Sequence, residues 1–253
     1  MSPPAGLCVD GLRKRFGGVA ALDGVSLALD AGELHALIGP NGAGKTTFIQ
    51  VLSGADRADA GSIVVDATEI AAFPMHRRVR LGVARSYQIS SLFANFSVLE
   101  NIALAIQARS PRPFAAWEPL NADTALVDRA TDALNDVGLA ARAEIRAGDL
   151  AHGEKRQLDL GLALATGARL LLLDEPMAGL GAADAAKFVA LLAALKGRVT
   201  IVLVEHDMDT VFRLADRISV LVYGRIVATG TPEEIRRHAE VRRAYLGEEA
   251  EGG

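Results

Sequence analysis

The sequence predicts an α/β fold, a parallel sheet covered on both faces by helices. Three observations carry that reading. The runs Leu34–Ile38, 170–173 and Thr200–Val204 are short and nearly all apolar, as strands buried on both sides are. The stretches between them space apolar residues three and four apart, as helices do. Two of the runs end abruptly in charge, at Asp174-Glu175-Pro176 and at Glu205-His206-Asp207. Open α/β sheets place their ligands at such strand ends.

Taken along the chain, residues 7–15, 25–29 and Leu34–Ile38 read as strands, separated by Gly17-Gly18 and by Asp30-Ala31-Gly32. Residues 39–44 are a glycine-rich turn and Lys45–Ser53 a helix. Residues 61–65 and 82–87 are further short strands. From 98 to 165 the pattern is helical, over 98–108, 124–137 and 154–165. Between the first two helices, residues 109–119 hold three prolines and the only tryptophan and read as a loop. Val137-Gly138-Leu139 reads as a helix stop. The last third alternates: strand 170–173, helix Ala182–Leu195, strand Thr200–Val204, helix Met208–Leu214, strand 218–223, and a hairpin turned at Gly224 into 225–229.

Composition bounds the rest. The chain has 253 residues, 50% of them hydrophobic, and a net charge of −4. A core of that size needs no staples, and a single cysteine, Cys8, excludes an internal disulfide framework. There is no apolar stretch of bilayer length, and residues 1–7 lack the basic start and apolar run of a secretory signal. A soluble protein of a reducing compartment is expected. The mean hydropathy of +0.23 is high for one. It fits apolar surface that meets a partner, and a large core equally well. The near-neutral charge supplies no basic field for nucleic acid.

The strongest local signal is Gly39-Pro40-Asn41-Gly42-Ala43-Gly44-Lys45-Thr46, which fits G-x-x-x-x-G-K-[ST] between a strand and a helix. Its glycines let successive backbone N–H groups turn toward one point as an anion nest. The helix start adds positive dipole. Lys45 brings a full charge to the β- and γ-phosphates, Thr46 a hydroxyl for Mg²⁺, and Thr47 a second hydroxyl toward the α-phosphate. Asn41, Gly42, Ala43 and Gly44 supply the cradle.

The acids after 170–173 are the second half of such a site. Asp174 can hold Mg²⁺ through water, while Glu175 points elsewhere and can polarise an attacking water. A strand ending in Asp-Glu is a moderate signal alone and a specific one beside the phosphate loop.

With these residues in place, nearly the whole chain resembles the ATP-binding subunits of ABC transporters. Phe16 sits where that family stacks an aromatic on adenine, and Gln88, in Arg85-Ser86-Tyr87-Gln88, resembles the glutamine of its Q-loop. Leu150-Ala151-His152-Gly153-Glu154 stands at the signature position. Asp174-Glu175-Pro176 matches the Walker B end, 178–181 the D-loop, and His206 the switch histidine. The resemblance implies a P-loop NTPase with a RecA-like parallel sheet core, an N-terminal antiparallel β-subdomain and an inserted α-helical subdomain at about 89–165. One ATPase domain would cover 5–247, with a tail at 248–253. There are two departures: Ala151 and His152 replace the signature serine and the glycine that follows it, and Gly181 replaces the D-loop aspartate.

The resemblance further implies an ATPase that uses ATP and Mg²⁺, with Glu175, His206, Gln88 and Lys45 as its catalytic set. Thr46, Gln88 and Asp174 would hold the metal. Ala151, His152, Gly153 and Glu154 would cap the nucleotide of a second ATPase subunit, a paralogue or a copy of itself. Integral membrane permease subunits would dock in a groove between 88–96 and 98–108, on the cytoplasmic face of the cell membrane. A periplasmic or extracellular solute-binding protein would act upstream, and nucleic acid would not be a partner. Phe16-Gly17-Gly18, Val98-Leu99-Glu100-Asn101, Glu205-His206-Asp207-Met208 and the end Ala244-Tyr245-Leu246-Gly247-Glu248 resemble the uptake systems for branched-chain amino acids and related small polar solutes. The lipopolysaccharide-export ATPase has a similar C-terminus and is the alternative. A non-transport ABC ATPase would need a second ATPase module or a coiled-coil insert, and neither is present. A metabolic P-loop kinase would leave the signature position, Gln88 and His206 unexplained.

Overall fold

The computed structural model describes residues 6–85, 92–109, 123–238 and 241. Strand β1 (Leu7–Phe16) pairs antiparallel with β2 (Val19–Leu29) and with β4 (Ala60–Val65). With β5 (Thr68–Glu69) they make a four-stranded sheet in the order β2-β1-β4-β5. β2 starts at Val19, not at residue 25. Asp23-Gly24 breaks the apolar alternation in the sequence, yet Asp23 stays in the ladder opposite Arg13, with a register shift absorbing the break.

The second sheet runs β10-β9-β3-β8-β7-β6, where β3 is Leu34–Ile38, β6 Val83–Arg85, β7 Leu170–Asp174, β8 Thr200–Val204, β9 Arg217–Val222 and β10 Arg225–Gly230. Neighbours are parallel except in the β9–β10 hairpin. Period-two alternation sends its side chains into two cores. Leu171, Leu173, Ile201, Leu203, Ile218 and Val220 face one. Leu170, Leu172, Val202, Val204 and Leu221 face the other.

In that second core α1 (Lys45–Ser53) packs with side chains from both sheets. Phe48, Ile49, Val51 and Leu52 are buried on it, each worth about 2 kcal/mol of apolar burial. The first core is closed by α3 (Val98–Gln107), α4 (Thr124–Asp136), α5 (His152–Ala165), α6 (Ala182–Leu195) and α7 (Met208–Leu214). Helix α3 opens on a capping box: Glu100 N–H donates to Ser97 Oγ at 3.1 Å, and Ser97 N–H to the Glu100 carboxylate at 2.6 Å. Helix α5 starts at His152, two residues before its expected start.

Two short helices were not expected. In α2 (Met75–Arg80) charge hides the pattern, but Arg78 is buried and its guanidinium caps the carbonyls of Val51, Leu52, Ala71 and Phe73. α8 (Pro232–Arg237) begins with Thr231 as N-cap, Pro232 and a capping-box Glu234. The expected strand 82–87 is described to Arg85, and the loop 109–119 only at Arg109. Gln88 and the C-terminal stretches 244–248 and 248–253 lie outside the described residues. Among the described residues no helix is long and apolar enough to cross a membrane.

Candidate active site

Sheet order assembles the site. In the sheet β8 lies between β3 and β7, and all three run parallel. Leu37 and Asp174 both stand opposite Val204. The loop after β3, Glu205-His206 after β8 and Asp174-Glu175 at the end of β7 therefore share one edge.

The loop is fixed by close approach. A Cβ on Gly39 would lie 2.0 Å from the Leu221 carbonyl oxygen, and one on Gly44 2.3 Å from that of Ala21. Gly44 also has φ 107° and caps α1. No other residue fits either place. Lys45, first in α1, is 8% exposed and folds back over the loop, donating to the carbonyls of Gly39 at 2.7 Å and Pro40 at 3.0 Å. Burial pulls its ammonium below its ordinary range, and Glu175 and Asp174 pull the other way. An ammonium poised in this way gains from any anion brought into the loop.

Asp174 is 5% exposed. Burial pushes its carboxyl above the usual range against the pull of Arg85, whose guanidinium lies 3.4 Å from Oδ2. Thr46 Oγ1 donates to Oδ1 at 3.5 Å. Hydroxyl and carboxylate oxygens thus converge beside the loop.

Glu175 has φ 49°, a strained conformation for a non-glycine residue, held by its N–H bond to the Val204 carbonyl at 2.9 Å. Glu175 lines the cavity over the loop, and Asp174 does not. The cavity measures about 330 Å³ and is lined by Val19–Ala21, Asn41–Thr47, Glu175 and Tyr223. His206 Nδ1 lies 3.8 Å from Glu175 Oε1.

Two of these partners were not read from the sequence as functional: Arg85 and Glu205. Glu205 is buried, and its carboxylate accepts the N–H of Met177 at 3.1 Å and of His206 at 3.3 Å. Burial raises its pKa, against those backbone bonds. It joins the strand carrying His206 to the turn after Glu175. A buried acid at a parallel strand end was the available signal.

The remaining expected residues lie elsewhere. Phe16 closes β1, half exposed, with Lys14 Nζ 5.2 Å from its ring centroid, and does not line the cavity. At the start of α5, Ala151 and His152 face solvent. Glu154 accepts the Ala151 N–H at 3.0 Å and the Arg142 guanidinium at 2.8 Å. Gly153 is fixed by contact: a Cβ there would lie 2.7 Å from the Asp184 carboxyl carbon. A Cβ on Gly179 would lie 3.7 Å from His152 Nε2, so the α5 start and the 178–181 turn meet within one chain.

Comparison with known proteins agrees with this geometry. Residues 22–178 match the ABC transporter family model, and 225–251 match the model for branched-chain amino acid ATP-binding cassette transporters. The high-affinity branched-chain amino acid transport ATP-binding protein LivG of Salmonella typhimurium is 39% identical over 98% of this chain and 100% of its own. Its Archaeoglobus fulgidus counterpart, described as a probable LivG, is 33% identical over 93% of each chain. The Escherichia coli lipopolysaccharide export system ATP-binding protein LptB is 30% identical over 97% of this chain and 98% of its own. Among solved structures, the ADP conformation of an ATP-binding cassette of an ABC transporter superposes with TM-score 0.84 at 28% identity, covering 96% of this chain and 99% of that one. A nucleotide-free cassette gives 0.81 at 26% identity, covering 96% and 100%. Fold, phosphate loop and relatives agree, and the chain belongs to the ABC transporter ATP-binding proteins, an ATPase family, within the group of the branched-chain amino acid transport ATP-binding proteins.

Proposed function

We propose that this chain is the ATP-hydrolysing subunit of an importer for branched-chain amino acids or related small polar solutes. The observation that carries the chemistry is the shared edge where Lys45, Thr46 and Glu175 line one cavity, with Asp174 bonded to Thr46 and His206 3.8 Å from Glu175. The class of solute rests on the relatives, since nothing in an ATPase of this kind touches the cargo.

In this reading the loop N–H groups and Lys45 hold the phosphates, with Thr47 toward the α-phosphate. The oxygens of Thr46 and Asp174 fit a hard cation of the Mg²⁺ type, which keeps water and phosphate ligands and needs few protein groups. When bound, that ion would neutralise charge on the β- and γ-phosphates. Gln88 joins this set by the family resemblance. Glu175 takes the proton of the attacking water or orients it, and His206, beside it, braces the water and the γ-phosphate. The α5 start, with Ala151, His152, Gly153 and Glu154, faces the nucleotide of a second ATPase subunit, a paralogue or an identical copy. Two membrane permease subunits dock on the helical subdomain at about 89–165, and a solute-binding protein delivers cargo to them. Apolar Phe93 and Phe96, stacked at 5.5 Å and exposed beside α3, suit such a contact. The subunit then sits on the cytoplasmic face of the cell membrane within a domain spanning 5–247.

Affinity purification from native membranes tests this. Recovery with two integral membrane subunits and a second ATPase, together with loss of labelled leucine uptake on deletion, is expected. Recovery without any membrane protein overturns the transport role.

A further inference from the structure

A fourth strand ends at the edge that holds the phosphate loop. β9 is the other parallel neighbour of β3, with Ile38 opposite Val220, and its end delivers Tyr223 to the cavity rim. Tyr223 breaks two local rules there. Val222 pairs with Arg225, and Tyr223 and Gly224 both have positive φ, 46° and 74°. A two-residue hairpin of this kind favours Asn, Asp or Gly at its first central position, and a tyrosine there is strained. The side chain is also 86% exposed, more than any other large hydrophobic side chain among the described residues.

The turn that presents it is rigid. Gly224 N–H donates to the Ala43 carbonyl in the phosphate loop at 2.9 Å, and the Gly224 carbonyl accepts from Asp23 N–H at 2.8 Å. Arg225 grips Asp23 Oδ2 through Nε and NH2 at 3.0 and 2.5 Å. A Cβ on Gly224 would meet the Ala21 carbonyl oxygen at 2.8 Å, so hairpin and β2 are in close contact. The turn therefore fixes the Tyr223 backbone at a cavity whose lining differs in kind at its two ends. Lys45, Thr46 and Glu175 mark the phosphate end, while Val19, Ala20 and Ala21 offer uncharged surface.

We propose that the Tyr223 ring is a wall of the nucleoside pocket and packs against the base and ribose of the bound nucleotide. The proposal rests on the reading of this cavity as the ATP site. A π-face accepts any base, so Tyr223 adds affinity without choosing between adenine and guanine.

The test compares binding of mant-ATP with competition by inorganic tripolyphosphate, which has no nucleoside. Tyr223→Ala is expected to weaken ATP binding about tenfold while tripolyphosphate competes as before, and Tyr223→Phe to restore ATP affinity. Tyr223→Asn suits the turn, so it is expected to fold at least as stably as the parent and still lose ATP affinity. Unchanged ATP affinity in Tyr223→Asn, or equal loss of ATP and tripolyphosphate in Tyr223→Ala, overturns the proposal. Lys45→Ala separates the two readings. It should abolish both ligands, and wild-type ATP binding in that variant takes down the nucleotide site itself.

Discussion

At the C-terminal edge of the sheet, Lys45 and Asp174 are buried beside the phosphate loop, whereas at the start of α5, Ala151 and His152 lie in solvent. The first region is over-determined. Gly39 and Gly44 touch neighbouring backbone, Glu175 is twisted to φ 49°, and Lys45 is bonded to two carbonyls. The second uses its polar atoms internally. Glu154 satisfies the helix start and Arg142, and Gly153 rests on Asp184. Strain and burial of charge accumulate where the chain does chemistry alone. The α5 start, which the proposed function completes with a second subunit, keeps a relaxed backbone and an open surface.

The sharpest way to break this contrast is at the chemistry. Glu175→Gln keeps side-chain size and backbone preference but removes the proposed base, so turnover is expected to fall about a thousandfold with ATP still bound. If the α5 start closes the nucleotide site of a second subunit as proposed, size exclusion with ATP should then show a longer-lived dimer. Wild-type turnover would remove Glu175 from its role. The next effect is on folding. Gly44→Ala places a methyl 2.3 Å from the Ala21 carbonyl oxygen at φ 107°, and a loss of about 3 kcal/mol or more is expected in denaturant titration. Gly181, in the relaxed region, has φ −69° and nothing near a new Cβ. Gly181→Asp, which restores the family's residue, should leave the unfolding midpoint within about 0.5 kcal/mol of the parent.

What could be read from the sequence follows the same division. The phosphate loop and the acids of β7 were legible because local rules dictate them: glycine spacing, an apolar run, an abrupt charge. Leu34–Ile38, Lys45–Ser53, Ala182–Leu195, Thr200–Val204 and Met208–Leu214 have the expected bounds for the same reason. Arg85, Glu205 and Tyr223 escaped a functional reading because sheet order brings them to the site. β6 lies beside β7, β8 between β3 and β7, and β9 beside β3, and none of these pairings is between strands joined by a short local turn. Helix α8 was readable in principle, since Thr231, Pro232 and Glu234 form a local start signal. Helix α2 was not: four of its six residues are His or Arg, and Arg78 is buried only through carbonyls supplied by α1 and the 71–73 turn.

A smaller effect probes the relaxed region directly. Ala151 is the N-cap of α5, with φ −62° and ψ 161° and no side-chain acceptor. Serine there is expected to add about 1 kcal/mol by taking an open N–H of the first turn. The backbone already has cap geometry, so nothing need move. An increase in thermal midpoint without a change in the monomer's ATP affinity would keep the two regions separate. A changed affinity would show that the α5 start already feels this chain's own nucleotide.

The smallest expected effect lies at Glu205, which ties the two regions together through Met177 and His206. Burial raises its folded pKa above the ordinary carboxylate value of 4.5. The sign follows from linkage: a raised pKa gives stability that is complete below the unfolded value and is lost as pH rises through the folded one. Glu205→Gln retains an oxygen to accept the Met177 N–H and removes the charge that burial penalises. The variant should therefore melt above the parent at about pH 8, with the two curves converging toward about pH 4. Glu205→Ala, which leaves the Met177 N–H unpaired, should melt below the parent at both. A Gln variant less stable than the parent at high pH would mean that the second acceptor oxygen, toward the His206 N–H, outweighs the relief of the buried charge.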